Sequence, residues 1–168
     1  MEQSSRAVIE TLCLANKGID VKFIDSASIA VRYWPRYKCQ YGCPSYGKNL
    51  CCPPYAPSPD ETKRIIADYT LGLLVRFDRG VKVTPAMVAI EREIFLKNYY
   101  KIISFGACSC QLCKECSLSG CTMPALARPS MEACGIDVYA TVGKNGFPLH
   151  VLTSQDDEIN CYGLALIE

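Results

Sequence analysis

Cysteine is the residue through which this chain could do chemistry. Twelve cysteines stand against one histidine in 168 residues. They fall into two groups: Cys39, Cys43, Cys51 and Cys52, then Cys108, Cys110, Cys113, Cys116 and Cys121, with Cys13, Cys134 and Cys161 standing alone. No Ser/His/Asp set, phosphate loop or carboxylate-pair motif accompanies them, and Gly143-x-x-Gly146 reads as a hairpin turn rather than a nucleotide site. Clustered thiols in a reducing compartment point to metal more than to disulfides.

The second group contains Cys110-x2-Cys113-x2-Cys116-x4-Cys121, with Pro124 three residues beyond. Bacterial ferredoxins hold 4Fe-4S clusters with a similar run, in which the last gap is three. Two-residue gaps let the chain curl around a cuboidal cluster and aim successive thiolates at different irons. Gly120 beside Cys121 is expected to ease that curl. The longer last gap leaves open whether Cys121 serves this cluster or a neighbouring one. Zinc and reduced structural cysteines are the alternatives. Zinc sites, however, usually pair C-x2-C knuckles across a longer spacer.

The first group reads Cys39-x3-Cys43, with Cys51-Cys52-Pro53-Pro54 after a further stretch. It begins like the loop of radical S-adenosylmethionine enzymes, but Tyr46 stands where the third cysteine is needed. Adjacent cysteines rarely both bind one metal. Cys52, beside a proline-ordered segment, is therefore the expected third ligand. Three ligands leave either a remote fourth thiol, for which Cys134, Cys51 and Cys108 are candidates, or an iron open to substrate. The bland alternative is cysteines packed in a core.

Arg32, Arg36, Lys38 and Lys48 make this region basic. Such charge favours thiolates and a negatively charged cofactor. It also suits docking of an acidic electron donor, although a solvated rim is equally consistent. Tyr33, Trp34, Tyr37, Tyr41 and Tyr46 surround the loop, to shield it or to stack on a flat ligand. Lone His150 is expected to be structural, and 156–158 a solvated turn.

The order Cys39-x3-Cys43, Tyr46-Gly47-Lys48, Cys52-Pro53-Pro54, the Cys110 to Cys121 run and Arg128-Pro129-Ser130-Met131-Glu132-Ala133-x-Gly135-Ile136-Asp137-Val138 resembles the prokaryotic family of predicted metal-binding proteins called domain of unknown function 2284. The resemblance covers most of the chain, from about Val21 onward. It implies cysteine-bound metal, iron–sulfur in anaerobic prokaryotes, without an established reaction. On that pattern Cys39, Cys43, Cys52, Cys110, Cys113, Cys116 and Cys121 are the metal ligands, with Cys134 as a further candidate. Lys48 and Arg128 are the candidate cofactor-binding cations. Arg128 precedes a helix start, where free N–H groups and positive charge suit an anionic cluster. Its simpler partner is Glu132, four residues on.

These residues need a scaffold. Length gives one domain over 1–168, and 49% hydrophobic residues supply a core. Lys+Arg 18 against Asp+Glu 17 excludes a general nucleic-acid binder. No apolar run reaches a membrane span. The N-terminus lacks a signal-peptide pattern, so a cytoplasmic location is expected. Helices are expected over about 5–16, from the Ser58-Pro59-Asp60-Glu61 capping box to about Tyr69, from Thr84-Pro85 to a point before Gly106, and from Pro129 to Ala133. Strands are expected at 21–24, 28–31, 71–77, 136–142, 147–152 and 162–167. The result is an α/β (α+β) sandwich, a mixed sheet packed by helices with two irregular cysteine loops.

The expected function is an iron–sulfur protein with one or two 4Fe-4S clusters in electron transfer, acting with a redox partner protein and as a homodimer. The alternatives are a redox enzyme with an open iron at Cys39/Cys43/Cys52, acting on a small sulfur or anionic substrate, and a zinc-stabilised binding module.

Overall fold

The strand β2 (Leu71–Phe77) is apolar on both faces, so it has to be covered on both. In the computed structural model, which describes residues 1–154 and 157–168, that is what happens. Strands β1 (Gly18–Asp25), β2, β3 (Ile103–Phe105) and β4 (Cys161–Leu166) form one sheet in the order β1-β2-β4-β3. Every pairing in it is antiparallel, with Val21 opposite Val75, Leu74 opposite Leu164 and Ser104 opposite Ala165. The α+β sandwich stands, but the sheet is antiparallel rather than mixed.

Alternation along the strands divides the core. Leu73, Val75, Phe77 and Ala165 pack with Ile9 and Cys13 of α1 (Gln3–Ala15) and with Met87, Ile90 and Ile94 of α4 (Val83–Phe95). Leu74, Leu164 and Leu166 face the other way, onto Ile66 of α3 (Pro59–Ala67), Val142 of α5 (Val138–Lys144), Met131 and Ile136. Each such side chain contributes on the order of 1.5–3 kcal/mol by leaving water. The capping box of α3 forms as expected, with the Glu61 amide donating to Ser58 Oγ at 3.2 Å and Glu61 Oε2 accepting from the Ser58 amide at 2.7 Å.

Several expected elements are different. Residues 34–42, read as loop, form helix α2 (Trp34–Gly42). The strand expected at 28–31 is replaced by a 3-10 turn (Ser26–Ser28) and an isolated bridge between Val31 and Ile136. The strand expected at 136–142 is α5. Asp137 Oδ1 accepts from the Ala140 amide at 3.0 Å, a cap that outweighs the β-branched residues. Gly143-x-x-Gly146 then ends a helix, and 147–152 is irregular with His150 exposed. Helix α4 begins at Val83 without a side-chain cap and stops at Phe95, leaving 103–105 to the sheet. Asp156 of the expected turn lies outside the described residues, while Asp157 accepts from the Thr153 and Ser154 amides.

Candidate metal centre

Helix α2 carries the first pair of thiols. Its start is tied down by Trp34 Nε1 donating to Asp137 Oδ2 at 3.1 Å and by the Tyr33 hydroxyl donating to the Asp60 carboxylate. Arg36, expected as rim charge, instead donates to the carbonyls of Ala56, Pro57 and Pro54, clipping α2 to the segment after Cys52. Cys39 lies in the last turn and Cys43 caps it, with the Cys43 amide donating to the Cys39 carbonyl at 3.2 Å. Residues four apart share a helix face, so both thiols point the same way.

The loop that follows is folded by its own backbone. The Gly47 amide donates to the Pro53 carbonyl at 2.8 Å, and the amides of Tyr55 and Ala56 donate to the Cys52 carbonyl at 3.0 Å. Gly47 has φ of +70°, a conformation suited to glycine, and the Pro53–Pro54 peptide is cis.

The adjacent pair Cys51-Cys52 is divided between two sites. Cys52 is buried beside Cys39 and Cys43. Burial pushes its thiol up, against hydrogen bonds from the Asn49 side chain and the Cys110 amide, which hold it down. Cys51 turns the other way, into a cavity it shares with Cys110, Cys113, Cys116 and Cys121. Burial, then the neighbouring Cys110, pushes its thiol to about 12. All four cysteines expected from the second loop therefore line one cavity, with Cys51 as a fifth. Gly120 has no positive φ and open space around it, so its expected help in the curl is not needed.

The second loop is closed at its base. The Gly106 amide donates to the Pro129 carbonyl at 2.9 Å, and the Met131 amide to the Gly106 carbonyl at 3.1 Å. Arg128 does not pair with Glu132. Its Nη2 and Nε donate to Glu91 of α4 at 2.6 and 2.9 Å, and Nη1 donates to the Ala127 carbonyl at 2.7 Å. Glu91 also accepts from Ser104 Oγ. Arg128 thus anchors the loop to the scaffold. Lys48 is exposed on the first loop.

The Val31–Ile136 bridge brings a third segment in. Arg32 donates its amide to the Gly135 carbonyl at 2.8 Å, just before α2. This sets the 3-10 turn Glu132–Cys134 against α2. Glu132 lines an open pocket of about 520 Å³ together with Cys39, Cys43, Lys38, Trp34, Tyr37 and Tyr41. Burial pushes the Cys39 and Cys108 thiols up, and the Glu132 carboxylate adds to the shift of each. The residue as a whole is partly exposed because it faces the pocket, but Oε2 is sealed and has no hydrogen-bond partner. Burial pushes this carboxyl up, against hydrogen bonding from its own amide and Ser130. Tyr37 and Tyr41 pack with ring centroids 4.7 Å apart at a 48° tilt and are largely exposed, so they rim the pocket rather than seal it.

The remaining cysteines differ in kind. Cys134 is fully buried in the core beside the site, its thiol pushed to about 12 by burial. Cys13 is an ordinary core residue, also pushed to about 12. Cys161 is only half-buried and lies near Cys108.

A family model described as a predicted metal-binding protein, domain of unknown function 2284, matches residues 22–167. The chain belongs to this family. Comparison with curated proteins and with solved structures finds no match. The 2284-family description names metal, and the donor set fits it: eight thiols and one sealed carboxylate surround two adjoining spaces. Among the described residues, no group of three or more His, Cys, Asp or Glu is arranged to hold a metal ion. The thiols line common cavities without crowding a common point. Among the described residues no helix is long and apolar enough to cross a membrane.

Glu91 and Asn49 were missed by sequence reasoning, because neither lies near a cysteine motif that would single it out. Replacing Glu91 with Gln is expected to cost about 1.5–2 kcal/mol, since it removes a two-point, charge-assisted contact that is mostly buried. Thermal unfolding of the anaerobic protein checks this, and an unchanged midpoint would show that the loop needs no anchor.

Proposed function

We propose that this protein holds two 4Fe-4S clusters, one at each thiol set, and works in electron transfer. The observation that carries the reading is the division of Cys51 and Cys52, which sets two thiol-lined spaces one residue apart. Cys39, Cys43 and Cys52 would hold the first cluster; Cys110, Cys113, Cys116 and Cys121 would hold the second. Bound there, such clusters supply one-electron transfer at potentials tuned by hydrogen bonds to sulfur and by exposure. The Asn49 side chain and the Cys110 amide donate to Cys52 sulfur and would act in that way. The two-residue gaps of the Cys110 to Cys121 run favour a polynuclear group over a single zinc, whose sites usually pair C-x2-C knuckles across a longer spacer.

The exposed face of α2, with Lys38 over the Trp34 ring at 5.1 Å and the Tyr37–Tyr41 pair, is the docking surface for a redox partner. Lys48 adds positive charge nearby, and Arg128 holds the second loop against Glu91.

Anaerobic purification followed by iron and acid-labile sulfide analysis tests this. The expected result is about eight irons per chain, with spin-resonance spectra of the reduced form broadened by coupling between adjoining centres. Native zinc without sulfide would overturn it in favour of a zinc-stabilised binding module. The open pocket over Cys39 and Cys43 favours a second reading, in which a small sulfur or anionic substrate reaches the first centre. A spectral change confined to that centre on adding sulfide would support it.

A further inference from the structure

We propose that Glu132 is the fourth ligand of the centre built on Cys39, Cys43 and Cys52, an oxygen donor beside three thiolates. This rests on the iron–sulfur reading above and adds to it the identity of the missing ligand.

The hydrogen bonds to this carboxyl come from its own amide and from Ser130. Its Oε2 is enclosed and lacks a hydrogen-bond partner. The cation four residues earlier, Arg128, is taken by Glu91 at 2.6 Å. The nearby Arg36 spends its guanidinium on three backbone carbonyls. Burial disfavours an ionised carboxylate, which either takes up a proton or is stabilised by a bound positive group. Here the same space also collects thiols, which adds negative charge and makes a bound metal the fitting countercharge.

Geometry places the side chain at the right wall. Glu132 lines one pocket with Cys39 and Cys43. Its turn is held rigidly, with the Cys134 amide donating to the Met131 carbonyl at 3.1 Å and the Gly135 amide to the Glu132 carbonyl at 3.0 Å. Carboxylates are competent iron ligands. The rival thiols are less well placed. Cys108 is exposed on a residue with φ of +64°, and Cys134 is fully buried in the core.

The test uses the full chain, loaded and kept anaerobic, with iron-57 Mössbauer and spin-resonance spectra as readouts. In the wild type, one iron subsite of the first centre should differ from the all-thiolate sites. Glu132→Gln should release about one iron in four from that centre and give a three-iron spectrum. Glu132→Cys should keep the iron and make the subsite uniform. Cys108→Ser and Cys134→Ser should leave the spectra unchanged. If both Glu132 variants match the wild type while Cys108→Ser or Cys134→Ser yields the three-iron form, the ligand is that thiol and the proposal fails. Wild-type protein without iron and sulfide would overturn the iron–sulfur reading itself, a different result from any of these.

Discussion

Cys52→Ser should remove about half of the iron, roughly four atoms per chain, whereas Cys51→Ser should remove almost none. The two residues are neighbours in the chain, yet they face different spaces. Cys52 lies with Cys39 and Cys43, where it is one of only three well-placed thiols. Cys51 lines the cavity that Cys110, Cys113, Cys116 and Cys121 already surround, so its loss leaves four thiols there. Iron and sulfide content of the two variants, purified side by side without oxygen, checks this. Equal losses would mean that the pair serves one centre, and the division seen in the fold would not govern binding.

Gly106→Ala should be strongly damaging, costing about 2–3 kcal/mol and lowering the unfolding midpoint by about 5–10 °C. A methyl group at this position would lie 2.0 Å from Thr84 Oγ1 and 2.9 Å from Thr84 Cα. Relief requires α4 to move away from β3, which also strains the bond from Thr84 Oγ1 to the Ala107 carbonyl at 3.3 Å. Gly106 further donates to and accepts from the 129–131 segment, closing the second loop. Gly120→Ala, in the same loop but with nothing within 4 Å of the added atom, is the control and should change stability by less than about 0.5 kcal/mol. Matching midpoints for the two variants would show that the closure at Gly106 is loose.

Much of this protein is readable along the chain because the relevant physics is local. The central strand 71–77 follows from its continuous apolar run, and α3 from a capping box that forms as written. The second thiol set follows from short gaps that can only curl around one space. The family motif likewise lies in contiguous residues, and the family model matches 22–167. Elements whose faces are set by distant partners are harder to read. Helix α2 shows no apolar stripe, because its two sides are occupied by the cysteine site and by carbonyls that Arg36 holds. The 138–144 segment has strand-like residues, but Asp137 caps it as a helix.

Residue types and spacing by themselves indicated a one-domain α+β protein with two cysteine loops, in a family described as predicted metal-binding. Only the tertiary structure decided which thiol belongs to which loop's site. The Val31–Ile136 and Gly106–Ser130 bridges join segments far apart in sequence, and they set α2, the second loop and the Glu132 turn around common spaces. They also hand Arg128 to Glu91 and leave Glu132 without a cation. No spacing rule can foresee that, because charge pairing across a fold depends on which surfaces the sheet and helices bury together.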